Sequence, residues 1–257
     1  MTMSSTEDMV PASLARPGDV DPVGPGGWWN LRFQDEFDGS SVDGSKWQFR
    51  STAESDWSDE PYGTGNPDSK QMEFDRPENC SVGDGALTIT AEPAKIRSQS
   101  GHRYRWSSCL ITSTGPGGYA FRFGYMEIRA MLPQSPGFWP SFWTWQASDN
   151  GHRTETDVFE YFSDNHQQLY HSWHWGEDHG CTHRPAFDPS AGMHVYGADI
   201  HESGTDFYVD GQHVCHAEGT PPGPANLVVS NFVYSGVPPA PESSGRMVVD
   251  YVRVWQR

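Results

Sequence analysis

Positive charge is scarce in this chain of 257 residues: 17 lysines and arginines stand against 34 aspartates and glutamates, a formal net charge of −17. A field of that sign repels polyanions, which argues against nucleic acid as a partner. Long apolar runs are missing as well. Nothing approaches the roughly 20 apolar residues of a transmembrane helix, so no membrane partner is expected. Extended stretches with apolar residues at a 3.6-residue period are absent, which disfavours a helical domain. The segment from Met1 to Gly27 shows no positively charged start followed by an apolar stretch, so no signal peptide is visible. Cysteine is limited to Cys80, Cys109, Cys181 and Cys215, with no C-x-x-C pair, which speaks against a zinc ribbon or a thioredoxin-type site. The even count leaves room for up to two disulfides of unspecified connectivity. It fits an oxidising, extracellular location, although no export signal is legible.

What the chain does contain is 27 glycines, 20 prolines and 13% aromatic residues, 11 of them tryptophan. That mixture favours short strands joined by many turns. Acidic balance with abundant Trp and Tyr suits a neutral, hydroxyl-rich ligand, because flat aromatic faces stack on sugar C–H surfaces, and it suits mere solubility equally. Residues 1–27, rich in Pro and Gly from Val10 onward, read as a disordered tail. Residues 28–257 then form a single domain, a length common for one all-β unit. A polar stretch from Ser51 to Lys70 reads as a long loop at the lip of a cleft.

Period-two alternation predicts strands from Ala86, where Leu87, Ile89 and Ala91 share a face, and from Tyr119 to Leu132. In the latter, Met126, Ile128, Ala130 and Leu132 make the core face. Phe121, Phe123, Tyr125, Glu127 and Arg129 make a partly open face that binds something polar. Further strands are expected at Phe138 to Trp145, Glu155 to Phe162, Leu169 to Trp175, Met193 to Ile200, Asn226 to Tyr234 and Arg246 to Trp255, with a hairpin through the Asp210-Gly211 turn. Many strands without alternating helices predict an all-β fold, a two-sheet antiparallel sandwich of jelly-roll type.

The candidate chemistry lies in Glu155-Thr156-Asp157-Val158-Phe159-Glu160. On a regular strand Glu155 and Asp157 share a face and Glu160 points to the other. A β-bulge at Val158-Phe159 would restore the parity and bring all three acids together. About four regular steps of about 3.3 Å would then separate the Glu155 and Glu160 Cα atoms by roughly 13 Å. Two long Glu side chains can lean across that to the roughly 5 Å that double displacement at a glycosidic bond needs. One carboxylate would attack the anomeric carbon while the other, kept protonated, donates to the leaving oxygen. Asp157 between them would raise the acid's pKa by like-charge repulsion. Alone, E-x-D-x-x-E fits a solvated edge strand as well as an active site. Upstream, however, Trp139, Trp143 and Trp145 share one parity and would present three indoles beside the acids.

Taken together these blocks resemble glycoside hydrolase family 16, the group of laminarinases, lichenases, agarases, porphyranases and carrageenases. The resemblance runs from about Trp28 to Gln256. It is carried by Asp35-Glu36-Phe37, Gly124 to Arg129, the G-x-W-P-x-F-W block at Gly137 to Trp143, and the acidic motif. It continues in His171 to Gly176, His194-Val195-Tyr196, Tyr208 to Gly211 and Val249 to Val254. It implies a concanavalin A-like jelly roll with a concave substrate cleft and an endo-acting, configuration-retaining glycosidase. In it Glu155 is the nucleophile, Asp157 its helper and Glu160 the acid/base. It further implies that Trp139 and Trp143 line sugar subsites, that His174 sits near the acid/base and that Asn231 is a polar cleft residue. No cofactor is implied for catalysis. A structural calcium on the convex side would take Glu36 and Asp250 as carboxylate ligands. Leu110 stands where many glucan-cleaving members carry Arg, so the linkage stays open: a β-1,3-glucan first, a β-galactan as the alternative, with transglycosylation undecided. The protein is expected to act as a monomer on its polysaccharide.

Two other classes compete. His171, His174, His179, Cys181 and His183 fall within thirteen positions and invite a zinc site, but their spacing matches no closed tetrahedral pattern, and His171 and His174 have opposite parity. A lectin-like module could use the same sandwich without cutting sugars; retention of all three acids argues against it.

Overall fold

The computed structural model describes residues 20–50, 60–147, 153–162, 168–175 and 177–257. Residues 1–19 of the expected tail and 51–59 of the expected lip loop lie outside them. In chain order the strands are β1 (Asn30–Asp35), β2 (Phe74–Asp75), β3 (Cys80–Gly83), β4 (Ala86–Arg97), β5 (Arg103–Ser108), β6 (Leu110–Thr112), β7 (Ala120–Phe121), β8 (Gly124–Met131) and β9 (Phe138–Ala147). They continue with β10 (Arg153–Glu160), β11 (Leu169–Trp175), β12 (Glu177–His183), β13 (His194–His201), β14 (Gly204–Val209), β15 (Gln212–Glu218), β16 (Ala225–Val233) and β17 (Gly245–Gln256). One sheet runs β15-β14-β13-β8-β17-β4-β5-β2, with β1 beside β17 and β3 beside β4. The other runs β12-β11-β10-β9-β16-β6, with β7 beside β16. Every pairing is antiparallel except β2 with β5, so the two-sheet sandwich expected from the alternation is the fold observed.

The core lies between the sheets. Leu87, Ile89, Met126, Ile128, Ala130, Val252 and Val254 from the larger sheet meet Phe142, Val158, Phe159, Leu227 and Val229 from the smaller, all fully buried. Fully burying each such side chain contributes about 1.5–3 kcal/mol of transfer free energy, which is why the period-two pattern fixes the register. Two disulfides add to this. Cys80–Cys109 joins residues 29 apart in sequence, and Cys181–Cys215, 34 apart, ties edge strand β12 of one sheet to edge strand β15 of the other. Closing loops of this length removes unfolded-state entropy worth about 3–4 kcal/mol per bridge on the chain-entropy account.

The open ligand-binding face expected on β8 is instead covered. Tyr125 and Glu127 are fully buried, and what covers them is the Pro/Gly-rich segment expected to be disordered as far as Gly27. The Val23 N–H donates to Glu127 Oε2 at 2.7 Å, the Tyr125 hydroxyl donates to the Val23 carbonyl at 2.7 Å, and the Trp255 indole donates to the Val20 carbonyl at 2.6 Å. Tyr251 donates to the other Glu127 oxygen at 2.8 Å. A segment with few apolar side chains thus docks through its backbone, and order begins before Trp28.

Candidate active site

Strand β10 departs from regular pairing where parity required it. Glu155 stands opposite Trp145 and Asp157 opposite Trp143 on β9, whereas Phe159 pairs with Phe142 and Glu160 with Ser141, so the register slips by one residue between Asp157 and Phe159. The pairing with β11 shifts over the same stretch. Val158 and Phe159 are both fully buried. On a regular strand Phe159 would leave the core and Glu160 would enter it, and a buried, unpaired carboxylate costs several kcal/mol. The bulge avoids that cost and gains the burial of Phe159. It also orphans the Val158 carbonyl from the ladder. His171 on β11, 1% exposed, meets that carbonyl through Nδ1. Burial drives its pKa down to about 4, so the ring is neutral and can donate from Nδ1.

The three acids therefore lie on the outer face of the seven-stranded sheet. Asp157 is 4% exposed and its Oδ2 accepts from the Ser172 hydroxyl at 2.8 Å, with His174 Nε2 at 3.2 Å from the same oxygen. Ser172 Oγ and His174 Nε2 are 3.3 Å apart, which closes a small polar network. Donor atoms of Glu155, Asp157 and His174 lie within 4.8 Å of one another. Burial pushes the Glu160 carboxyl well above the ordinary carboxylate range. The Asp157 charge pushes the same way, His174 opposes, and Glu155 adds a smaller upward push. The arrangement thus sets one carboxyl of raised pKa beside two further acids, the division of labour that general acid and nucleophile require.

On β9 the indoles of Trp139, Trp143 and Trp145 do share this face, but they form a packed cluster more than a flat platform. Trp139 and Trp145 are each 8% exposed, and Trp143 is the partly exposed member. Trp139 packs against Phe162 at 4.4 Å, Phe232 at 5.5 Å and Tyr234 at 5.8 Å between ring centroids. Trp143 donates from Nε1 to Ser230 Oγ at 3.1 Å and meets Trp145 edge-on. Leu110 joins the same cluster from β6.

Three expected site residues are elsewhere. Asn231 is fully buried between the sheets, where its Nδ2 donates to the Gly245 carbonyl at 3.1 Å and the Ile89 carbonyl at 3.3 Å. On β16 the residues paired with the tryptophans are Asn226, Val228 and Phe232, so Asn231, of odd parity, must face inward. Glu36 and Asp250 do not form a calcium site. Glu36 is clamped by Arg253 through Nε at 2.8 Å and Nη2 at 2.7 Å, and Asp250 pairs with Arg129 at 2.6 Å. A cation brought to either carboxylate would meet a guanidinium already there, so the donor set does not fit calcium. Cys181 is spent in a disulfide, which removes the zinc reading of its histidine-rich neighbourhood. Conversely, the sequence alone does not single out Ser172 and Ser141. Both lie in register with the acids, Ser172 opposite Asp157 and Ser141 opposite Glu160, a signal visible only once pairing is known.

Comparison with known proteins bears on the family and the fold. The profile described as Glycosyl hydrolases family 16 matches residues 67–253. Among curated proteins, glucan endo-1,3-beta-glucosidase A1 of Niallia circulans is 29% identical over 99% of this chain and 41% of its own length. Endo-1,3-1,4-beta-glycanase EglC of Rhizobium meliloti is 31% identical over 68% of this chain and 39% of its own. The chain thus spans about two fifths of the length of these relatives. Among solved structures, the laminarinase catalytic domain of Thermotoga maritima superposes with a TM-score of 0.75 at 25% identity, covering 89% of this chain and 98% of that one.

Proposed function

The chain belongs to glycosyl hydrolase family 16, and from that premise we propose that it is an endo-acting, retaining glycosidase that hydrolyses internal β-1,3 linkages of a glucan. The observation that carries this reading is the bulge at Val158, which puts Glu155, Asp157 and Glu160 on one face, where burial and the Asp157 charge raise the Glu160 pKa. Glu155 attacks the anomeric carbon as Glu160 gives its proton to the departing glycosidic oxygen. Glu160, now a carboxylate, then takes a proton from water as that water displaces Glu155, and the configuration is restored. Asp157, held by Ser172 and His174, orients the Glu155 side chain and keeps negative charge beside Glu160. Trp143 offers the exposed indole edge for a sugar ring, backed by Trp139 and Trp145.

The glucan and the endo mode are supported by the names of the Niallia circulans and Thermotoga maritima relatives. Two disulfides support action outside the reducing cytoplasm, on an extracellular polysaccharide.

The test is a reducing-end assay on laminarin, lichenan, agarose, porphyran and carrageenan, with proton NMR of the earliest product. Release from laminarin with β-configured ends is expected. Activity confined to galactans would overturn the substrate, an α-configured product would overturn the roles of Glu155 and Glu160, and equal inactivity of wild type and Glu155→Gln would leave a sugar-binding module instead.

A further inference from the structure

A second convergence of chemistry lies on the opposite sheet. Asp206 on β14 is ringed by three imidazoles: His213 Nε2 and His216 Nδ1 each sit 2.9 Å from Asp206 Oδ1, and His201 Nε2 sits 3.0 Å from Oδ2. Donor atoms of His201, Asp206 and His216 lie within 4.8 Å of one another. The backbone is shaped to make this happen. His216 stands directly across the ladder from Asp206, and His213, three positions away, would face the other side of a regular strand. A slip between Phe207 and Tyr208 in the β14–β15 pairing places His213 opposite Tyr208 and returns it to the Asp206 face. One residue further, Cys215 is bonded to Cys181 of the other sheet, which pins β15 next to this distortion.

We propose that His201, Asp206, His213 and His216 form a binding site for a divalent transition-metal ion of the zinc class. Three imidazoles and one carboxylate form a closed donor set of the kind Zn2+ takes, whereas calcium and magnesium prefer all-oxygen shells. Ligands of a tetrahedral Zn2+ with bonds of about 2.0–2.1 Å stand about 3.3–3.4 Å apart; the three imidazole contacts to Asp206 are 2.9–3.0 Å, the ligand atoms of His201, Asp206 and His216 lie within 4.8 Å of one another, and His213 would complete the set by a small movement about its contact with Asp206. Outer supports are present too. His201 Nδ1 is engaged by Ser203 Oγ at 3.0 Å, which orients the ring so that Nε2 faces Asp206. The Cε1–Nε2 edge of His216 lies against Gly204, where an added Cβ would come within 2.5 Å of Cε1, so only Nδ1 is left to the site. Asp199 stands across the β13–β14 ladder from Asp206. It is 4% exposed, with Oδ2 taken by Arg257 and Oδ1 without a hydrogen-bond partner among the described residues. Two carboxylates facing each other in register repel, and a cation on Asp206 relieves that repulsion. The ion would clamp the turn between β13 and β14 to the free edge strand β15, far from the three acids of the other sheet.

The probes are Zn2+ and Co2+ added to the metal-stripped full chain. One Co2+ per chain with the intense visible absorption of four-coordinate cobalt is expected. With Zn2+ at a hundredfold excess over Kd, a Tm rise of about 5–10 °C is expected. Binding should vanish in His201→Ala/His216→Ala, persist in His174→Ala, and weaken about tenfold in Ser203→Ala. His213→Gln and His216→Gln, which should hydrolyse polysaccharide at the wild-type rate, separate lost binding from lost folding. Unchanged stoichiometric binding in the double variant, loss of binding in His174→Ala, or a wild-type Kd weaker than about 1 mM overturns the site.

Discussion

His171→Phe isolates one hydrogen bond on which the bulge depends. The phenyl ring keeps the volume of the imidazole and its packing against Phe207, whose centroid is 5.2 Å away. Nothing is lost at Nε2, which has no hydrogen-bond partner among the described residues. What disappears is the donor to the Val158 carbonyl, and leaving such a buried acceptor unsatisfied costs about 1–3 kcal/mol. The variant should therefore be less stable by that amount at pH 7 in denaturant titrations. If the bulge relaxes in response and Glu160 shifts, about 1.4 kcal/mol appearing in the transition state lowers kcat about tenfold. His171→Asn, whose amide can place a donor near the Nδ1 position, should recover part of kcat despite its smaller volume.

Acid makes the test sharper. The folded pKa of about 4 lies below the unfolded value of 6.5. The unfolded chain therefore takes up the proton first, and wild-type stability falls as pH drops from 6.5 towards 4, by about 3 kcal/mol in total. His171→Phe has no such proton to bind. Its deficit should shrink and then reverse across that window. Wild-type stability and kcat in His171→Phe at pH 7, with parallel pH profiles, would refute the reasoning.

Asn231→Ala should lower stability by about 2–3 kcal/mol, because the Ile89 and Gly245 carbonyls lose their donor, and should leave KM unchanged; a raised KM at wild-type stability would return Asn231 to the substrate face. Burial raises the Glu73 carboxyl to about 7, against backbone hydrogen bonds from Val233 and Met72. A folded pKa above the unfolded 4.5 means stability is lost as pH climbs through that interval. Glu73→Gln should consequently gain Tm over wild type above pH 7 and match it below pH 4.5, and equal profiles at both ends would count against a buried neutral Glu73.

Strand parity made much of the site legible. Glu155, Asp157 and Glu160 could share a face only through a bulge, and the register slip at Val158 supplies one. The inner face of β8 was equally readable, since Met126, Ile128 and Ala130 alternate without interruption. The outer face of the same strand was not. Tyr125 and Glu127 are covered by backbone groups of residues 20–27, and a Pro/Gly-rich composition reveals few apolar side chains but says nothing of carbonyls and amides that a buried carboxylate can recruit. The inward orientation of Asn231 is not legible in its own strand, because it depends on which β16 residues pair with Trp139 and Trp143, information held in the neighbouring strand. Ser172 was hidden for the same reason. The ring of imidazoles around Asp206 is not legible in the sequence because a second bulge, like the first, folds residues of unlike parity onto one side.

The bulge on β10 also has a genetic meaning. It is a single residue with no partner across the ladder, so loss of one codon at position 158 would restore a regular strand while leaving Glu160 opposite Ser141, on the same face as Glu155 and Asp157. The product would keep all three acids and the tryptophans on one face and give up only the Val158 side chain in the core and the carbonyl that meets His171. Comparing strand lengths among related sandwiches at this site, counted in codons between the paired positions of Trp143 and Ser141, would show whether lineages gain and lose the bulge by insertion and deletion without moving the acids off their shared face.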